Sequence, residues 1–175
     1  EDKEINGKIE KKYDDLFDKD YNIIEEISSN QHVKIYKVQS KQNRLRYRTM
    51  LRVQKSSFNN KSDDKIMEEE FKKLEQIEHE HIIKLHDKYV NKTHYKIIAD
   101  FCKEGVLDEK IKQKRIFTEF QTKYVAYQLL EAIKCLNENN LVHTDIKPEI
   151  IFINEILTKK KEEVYDIKLL NFSST

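Results

Sequence analysis

The stretch Val142-His143-Thr144-Asp145-Ile146-Lys147-Pro148-Glu149-Ile150-Ile151-Phe152 constrains this chain more than any other part of it. It holds the only proline, and a histidine, an aspartate and a lysine crowd into it between apolar neighbours. Glycine is nearly as scarce: 2 glycines and 1 proline stand in 175 residues, against usual shares of about 7% and 5%. Neither Gly7 nor Gly105 lies in a glycine-rich loop. Such loops let backbone N–H groups approach phosphate with no Cβ in the way, so a phosphate cradle of the usual kind is missing.

Length and charge narrow the class. A chain of 175 residues can bury one sizeable core. Lys+Arg 33 nearly cancels Asp+Glu 32 for a net charge of +1, which argues against nucleic acid as a partner. The nearest basic stretch, 41–55 with Arg44, Arg46, Arg48 and Arg52, reads as a strand with a solvated charged face. No apolar run reaches bilayer length, and the opening EDKEINGKIEKK is not a signal peptide; no membrane partner is expected. Cys102 and Cys135 are isolated and read as reduced, buried thiols of a cytoplasmic protein.

Residues 1–20 are charged and weakly patterned, a frayed helix or a tail. Strands are predicted over Tyr21–Ser28, Val33–Ser40, Arg46–Gln54, Ile82–Tyr89 and Tyr95–Phe101. A helix over 63–77 starts at the N-cap Ser62 and shows Ile66, Met67, Leu74 and Ile77 on one face. That face also carries Glu70, a carboxylate that needs a cationic partner or a place at the stripe's edge. A short helix near Leu107–Gln113 precedes a longer one, opened by a Thr118/Gln121 capping box and buried through Val125, Leu129, Ala132, Ile133 and Leu136. A short apolar strand, 167–170, closes the pattern.

Taken in order, these elements and the 142–152 stretch resemble a eukaryotic-type protein kinase domain of the Ser/Thr type. The wording is closest to the calcium/calmodulin-dependent and calcium-dependent groups. The stretch is similar to the catalytic-loop pattern H-R-D-L-K-P-E-N, with Lys147 two residues after Asp145 as the Ser/Thr feature. The resemblance covers roughly 21–175 and implies an α+β fold. Expected are a five-stranded antiparallel N-lobe sheet with one helix and the beginning of a helical C-lobe. The implied division is an N-terminal extension over 1–20, an N-lobe over 21–99, a hinge over 100–102 and an incomplete C-lobe over 103–175. The pattern stops just past the D-F-G equivalent, Asn171-Phe172-Ser173, so the segments that follow it in the family are expected elsewhere.

The resemblance also implies a site. Asp145 matches the catalytic base and Lys147 the residue that neutralises the transferring phosphoryl group. The G-x-G-x-x-G-x-V loop falls on Ser28 through Ile35, with Ser28, Asn30 and Val33 in place of glycines. Arg52 takes the place of the phosphate-gripping lysine, with Glu70 as its helix partner. Met50 falls above the adenine ring and Phe152 below it, where smaller residues are usual, so the slot reads as filled by the protein's own side chains. Asp100, Phe101 and Cys102 match the hinge, and Ala99 the gatekeeper. Leu74, Leu85, His143 and Phe172 match the regulatory spine, making His143 a core histidine rather than a base.

ATP and magnesium are the cofactors the family implies, yet both metal positions are altered. Ile150 offers no oxygen, and Asn171 keeps one neutral oxygen where the family has aspartate. Three readings follow. The first is a pseudokinase acting on other proteins, such as an active kinase, or docking a missing C-terminal half. The second is a divergent ATP-dependent Ser/Thr kinase, and the third a nonfunctional fragment.

Overall fold

Alternating apolar and polar side chains give this chain a sheet whose two faces do different work. The computed structural model describes residues 11–29, 33–55, 68–69, 71–113 and 116–170; Glu70, Asn171 and Phe172 lie outside the described residues. Two compact units emerge, one built from residues up to Ile77 with Lys84–Phe101, the other from Glu78–Ile83 with the residues from Cys102 onward.

In the first unit the elements are β1 (Lys11–Tyr13), α1 (Asp14–Asp20), β2 (Tyr21–Ser29), β3 (Val33–Ser40), β4 (Tyr47–Gln54), β5 (Leu85–Val90) and β6 (His94–Asp100). They form one sheet in the order β1-β5-β6-β4-β3-β2. The five expected strands pair antiparallel throughout, and β1 adds a sixth, parallel to β5. Ile82 and Ile83, expected in β5, belong to the other unit.

Residues 11–20 therefore carry more order than a frayed helix or tail, and Phe17 is the reason. It is 1% exposed and clusters with Val38, Met50, Tyr89 and Ile98. Tyr89 meets its ring edge-on at 5.4 Å, Tyr21 stacks at 5.8 Å, and the Lys96 ammonium lies 4.2 Å from its centroid. Burying one such side chain contributes about 1.5–3 kcal/mol, enough to hold a two-turn helix that could not stand alone. The tyrosine hydroxyls are satisfied, Tyr89 donating to Asp20 at 2.6 Å and Tyr21 to Asp87 at 2.8 Å. Burial, with those carboxylates, pushes both hydroxyls well above the usual tyrosine range.

Register sorts the rest. Met50 pairs with Tyr36 and Ile98, and Arg52 with Lys34 and Lys96, so these share the α1 face. Leu51 pairs with Ile35 and Ile97 and belongs to the opposite face, as does Lys88. Residues 71–74 are helical and lie against that second face. Lys88, 4% exposed, reaches the Phe71 ring at 4.2 Å and the Glu68 carboxylate at 2.7 Å. A lysine so deeply buried requires such a partner.

In the second unit, α2 (Leu107–Lys112) and α3 (Glu119–Glu138) precede a hairpin of β7 (Ile151–Lys159) and β8 (Glu162–Leu169). Strand β7 and most of β8 extend well beyond the expected strand at 167–170, because both strands alternate polar residues into the apolar run. The capping box forms as expected: Thr118 Oγ1 accepts from Gln121 N at 3.2 Å, and Gln121 Oε1 accepts from Thr118 N at 2.9 Å. Val125, Ala132 and Leu136 are buried, but Leu129 and Ile133 only half so. The fourth buried position is Gln128, 2% exposed. Its Nε2 donates to Tyr165 O at 2.8 Å and its Oε1 accepts from Ile167 N at 3.0 Å. One amide thus satisfies the open edge of β8 where another strand would otherwise be needed. Further along that edge, Leu169 N donates to His81 O at 2.8 Å and Ile83 N to Leu169 O at 3.0 Å.

The hairpin turn breaks a local rule. Lys160 and Lys161 take φ of 50° and 66°, the left-handed pair of a two-residue turn that favours Asn-Gly. Lysine there costs roughly 1–2 kcal/mol per residue. Cation–π contacts from Lys159 to Tyr124 (4.6 Å) and Lys160 to Phe120 (5.2 Å) offset part of it, at about 0.5–1 kcal/mol each.

Two stability predictions follow from these features. The double change Lys160→Asn, Lys161→Gly is expected to stabilise the chain by about 1 kcal/mol, read as a higher urea midpoint at unchanged slope. Gln128→Leu is expected to destabilise it by about 2 kcal/mol, because Ile167 N and Tyr165 O lose their partner while the volume stays filled. An unchanged midpoint in Gln128→Leu would show that the amide clamp does not hold α3 to β8.

Candidate functional site

The 142–152 loop begins where α3 ends. Asn140 adopts φ 55°, a conformation asparagine tolerates better than most residues. Leu141 N donates to Leu136 O at 2.9 Å and Asn140 N to Asn137 O at 3.0 Å, the reversed pair that closes a helix C-terminus. Leu141 is 5% exposed and Val142 is 73% exposed, so the chain turns from core to surface in one step.

His143 fixes the loop. Its Nε2 donates to Leu170 O at 2.9 Å, and its Nδ1 accepts from Asp145 N at 3.2 Å. That network assigns the proton to Nε2. Burial lowers the imidazole pKa, which agrees with a neutral ring. Both nitrogens are committed, so His143 orients Asp145 and is not itself a base; it is half-buried rather than enclosed in the core.

Asp145 and Lys147 come together within the loop. Lys147 Nζ lies 2.5 Å from Asp145 Oδ2, with side chains 36% and 40% exposed. At that exposure the pair adds little stability. It is chemically competent: a carboxylate able to accept a hydroxyl proton beside an ammonium able to neutralise an anion.

Beyond the pair the loop becomes hydrocarbon. Pro148 opens a 3-10 turn ending at Ile150, whose N–H bonds Lys147 O at 3.2 Å and whose carbonyl accepts from Leu170 N at 3.0 Å. Ile150 is 9% exposed and Phe152 1% exposed. Phe152 bridges to Val106, and Ile153 N donates to Gly105 O at 2.8 Å. Gly105 has φ 79°, a left-handed backbone that other side chains adopt only with strain. Cys102, in the same unit, is 1% exposed.

In the first unit the expected nucleotide-binding residues separate. Ser28 and Ile35 stand opposite one another on the face that carries Leu51. Met50 and Arg52 do not join them: Met50 is fully buried in the Phe17 cluster, and Arg52 is exposed on the same α1 face. This differs from the sequence expectation, and the physical reason is strand parity. A one-residue offset between motif and pleat moves every side chain across the sheet. The residues that β4 places opposite α1 are Thr49, Leu51 and Val53, none of them cationic.

Among the described residues the sheet-to-helix ion pair is Lys88–Glu68; Glu70, the expected partner of Arg52, lies outside them. Nothing in the sequence singled out the Lys88 pair, because Lys88 sits in a strand that also carries His86 and Asp87. Asp100 Oδ1 holds His86 Nε2 at 2.7 Å and Arg48 at 3.8 Å, while its N–H donates to Lys84 O at 3.0 Å. Ala99 and Thr49 are register partners and both fully buried, and Thr49 Oγ1 has no hydrogen-bond partner.

These donors do not fit a magnesium-bound triphosphate. Magnesium takes oxygen ligands in near-octahedral geometry. Ile150 supplies hydrocarbon at the position where the resemblance implies a metal ligand, and no group of acidic, histidine or cysteine side chains able to hold a metal forms among the described residues. The strand expected to grip phosphate turns its cations to the α1 face.

Comparison with known proteins places the chain among kinases. The model of the protein kinase domain matches residues 21–174. Calcium-dependent protein kinase 6 of Plasmodium berghei (strain Anka) is 35% identical over 105 residues, 59% of this chain and 7% of that protein. Serine/threonine-protein kinase ULK3 of Xenopus laevis is 28% identical over 137 residues, 78% of this chain and 29% of that protein. Serine/threonine-protein kinase polo of Drosophila melanogaster is 30% identical over 84 residues, 48% of this chain and 15% of that protein. This chain thus spans well under half the length of these relatives. The crystal structure of Rad53 1-466 in complex with AMP-PNP matches with a TM-score of 0.72 at 20% identity, covering 91% of this chain and 40% of that one, a likeness of fold. From a kinase-type loop on a kinase-type scaffold, matched over most of its length, it follows that this chain belongs to the protein kinase family.

Proposed function

We propose that this chain is a pseudokinase module, a kinase fold that works by binding another protein rather than by transferring phosphate. The observation that carries this reading is Ile150, a buried hydrocarbon side chain at a position where the reaction needs a metal-binding oxygen. Phosphoryl transfer relies on positioning and metal charge, with little covalent chemistry to compensate. Removing a metal anchor strikes the largest contribution. The face of β4 opposite α1 supports the same reading, since Thr49, Leu51 and Val53 offer no cation to a phosphate. Partner proteins are then the natural ligands, in the cytoplasm; no helix among the described residues is long and apolar enough to cross a membrane.

One observation favours a second reading. Asp145 and Lys147 remain joined and solvent-accessible, as a divergent ATP-dependent Ser/Thr kinase would require. That enzyme would have to anchor its metal without Ile150.

Thermal melting with ATP, with and without Mg²⁺ or Mn²⁺, separates the two. A ligand at about 100 times its dissociation constant adds roughly 2.7 kcal/mol to the native state, several degrees in Tm for a domain of this size. No metal-dependent shift is expected for the native chain. The double variant Ile150→Asn, Asn171→Asp is expected to gain one. A saturable shift in the native chain that needs Mg²⁺ would overturn the pseudokinase reading and favour the second.

A further inference from the structure

The α1 face of the sheet carries two charged cross-strand rows, and they are treated differently. In one, Arg48 on β4 stands opposite Asp100 on β6. The two are 3.8 Å apart, and His86 shares the same carboxylate. In the other, Lys34 on β3, Arg52 on β4 and Lys96 on β6 stand directly opposite one another. Like charges in register destabilise a sheet. Phe17 draws the Lys96 ammonium over its ring, but no ion pair reaches Arg52 or Lys34 among the described residues. Glu26, the acid nearest the row's end, is held by hydrogen bonds from Ser29 and Tyr36 before it feels Lys34. Both Lys34 and Arg52 are exposed.

We propose that the Lys34–Arg52–Lys96 row is a docking site for a short acidic segment of a partner protein. Strands lie about 4.8 Å apart, so the row spans on the order of 10 Å, about three residues of an extended chain at roughly 3.3 Å each. Arg52 stands at the centre, where its planar fork can take a carboxylate in two parallel hydrogen bonds. The surroundings set the length of the ligand. Glu26, on β2 and on the same face as Met50, stands beside the Lys34 end of the row, and the chain as a whole carries a net charge of only +1. A long polyanion such as nucleic acid running on past Lys34 would meet the Glu26 carboxylate, whereas a short acidic segment centred on Arg52 stays over the cations. This site does not depend on whether the chain binds nucleotide, so its success or failure is separate from that of the pseudokinase reading.

The test is fluorescence anisotropy of the full 175-residue chain with a labelled peptide bearing a short run of glutamates, without nucleotide. Saturable binding is expected, weakening as salt shortens the screening length. Arg52→Glu and Lys34→Glu are each expected to weaken it about tenfold or more, while Lys123→Glu on α3 leaves it unchanged. Arg52→Glu is also expected to raise Tm, because it relieves the like-charge row; a variant that melts higher yet binds less cannot be failing through misfolding. The proposal is overturned if the peptide does not bind or if Arg52→Glu and Lys34→Glu leave its affinity unchanged. Inorganic phosphate displacing it at equal charge (an adventitious ion only), or duplex DNA binding as tightly, would overturn it as well.

Discussion

Strand register governs what the first unit can do. Once Met50 is committed to Phe17, Tyr89 and Ile98, parity leaves Leu51 and Thr49 no choice of face, and carries Arg52 with Met50. The commitment is strong, because Met50 and Ile98 are wholly buried and Phe17 nearly so, and exposing any of them would cost a few kcal/mol. The helix at 71–74 cannot then find its cation on β4. It finds Lys88 on β5 instead, in a pair whose lysine side chain is 6% exposed. Breaking one half of such a pair is far more costly than never having built it, so Lys88 and Glu68 lock the helix to the sheet.

In the second unit the corresponding role falls to backbone hydrogen bonds at β8. A two-stranded hairpin is marginal alone, and β8 gains its third partner from Gln128 and the His81–Ile83 strap. Leu170, just beyond β8, accepts from His143 and donates to Ile150. The loop with Asp145 and Lys147 is thereby held at both ends by one residue. The geometry of a reacting loop persists here because it is tied to the fold by its backbone, independent of whether its side chains still perform chemistry.

Much of this was legible in the sequence, and the gaps share a cause. Thr118 with Gln121 announced a helix start, and the loop pattern with five alternating strands announced the fold class. Five strand positions came within a few residues, because local alternation sets them. Phe17 was missed because Ile9, Tyr13, Leu16 and Phe17 recur at helical spacing inside a stretch whose charged residues outweigh them. Gln128 was passed over because glutamine reads as surface, though its amide can substitute for a strand. The faces of Met50 and Arg52 required knowing which neighbours each strand pairs with, a non-local fact that no motif spacing encodes. The expected positions at Glu70 and Asn171 lie outside the described residues and keep the standing the sequence gives them.

The exceptions to local rules divide by whether the chain itself resolves them. The strained Lys160–Lys161 turn is braced by Phe120 and Tyr124, buried Lys88 by Glu68, and buried Gln128 by the β8 backbone. Folding accounts for all three. The Lys34–Arg52 pairing is different: two cations stand in register with no ion pair to either among the described residues, and the attraction of Glu26 for Lys34 offsets the repulsion only in part. Natural sequences tolerate a conflict of that kind where it serves a site. Here the conflict lies on the sheet face that carries α1. With like charges in register on the α1 face, an acidic partner bound there would relieve a repulsion that folding leaves in place.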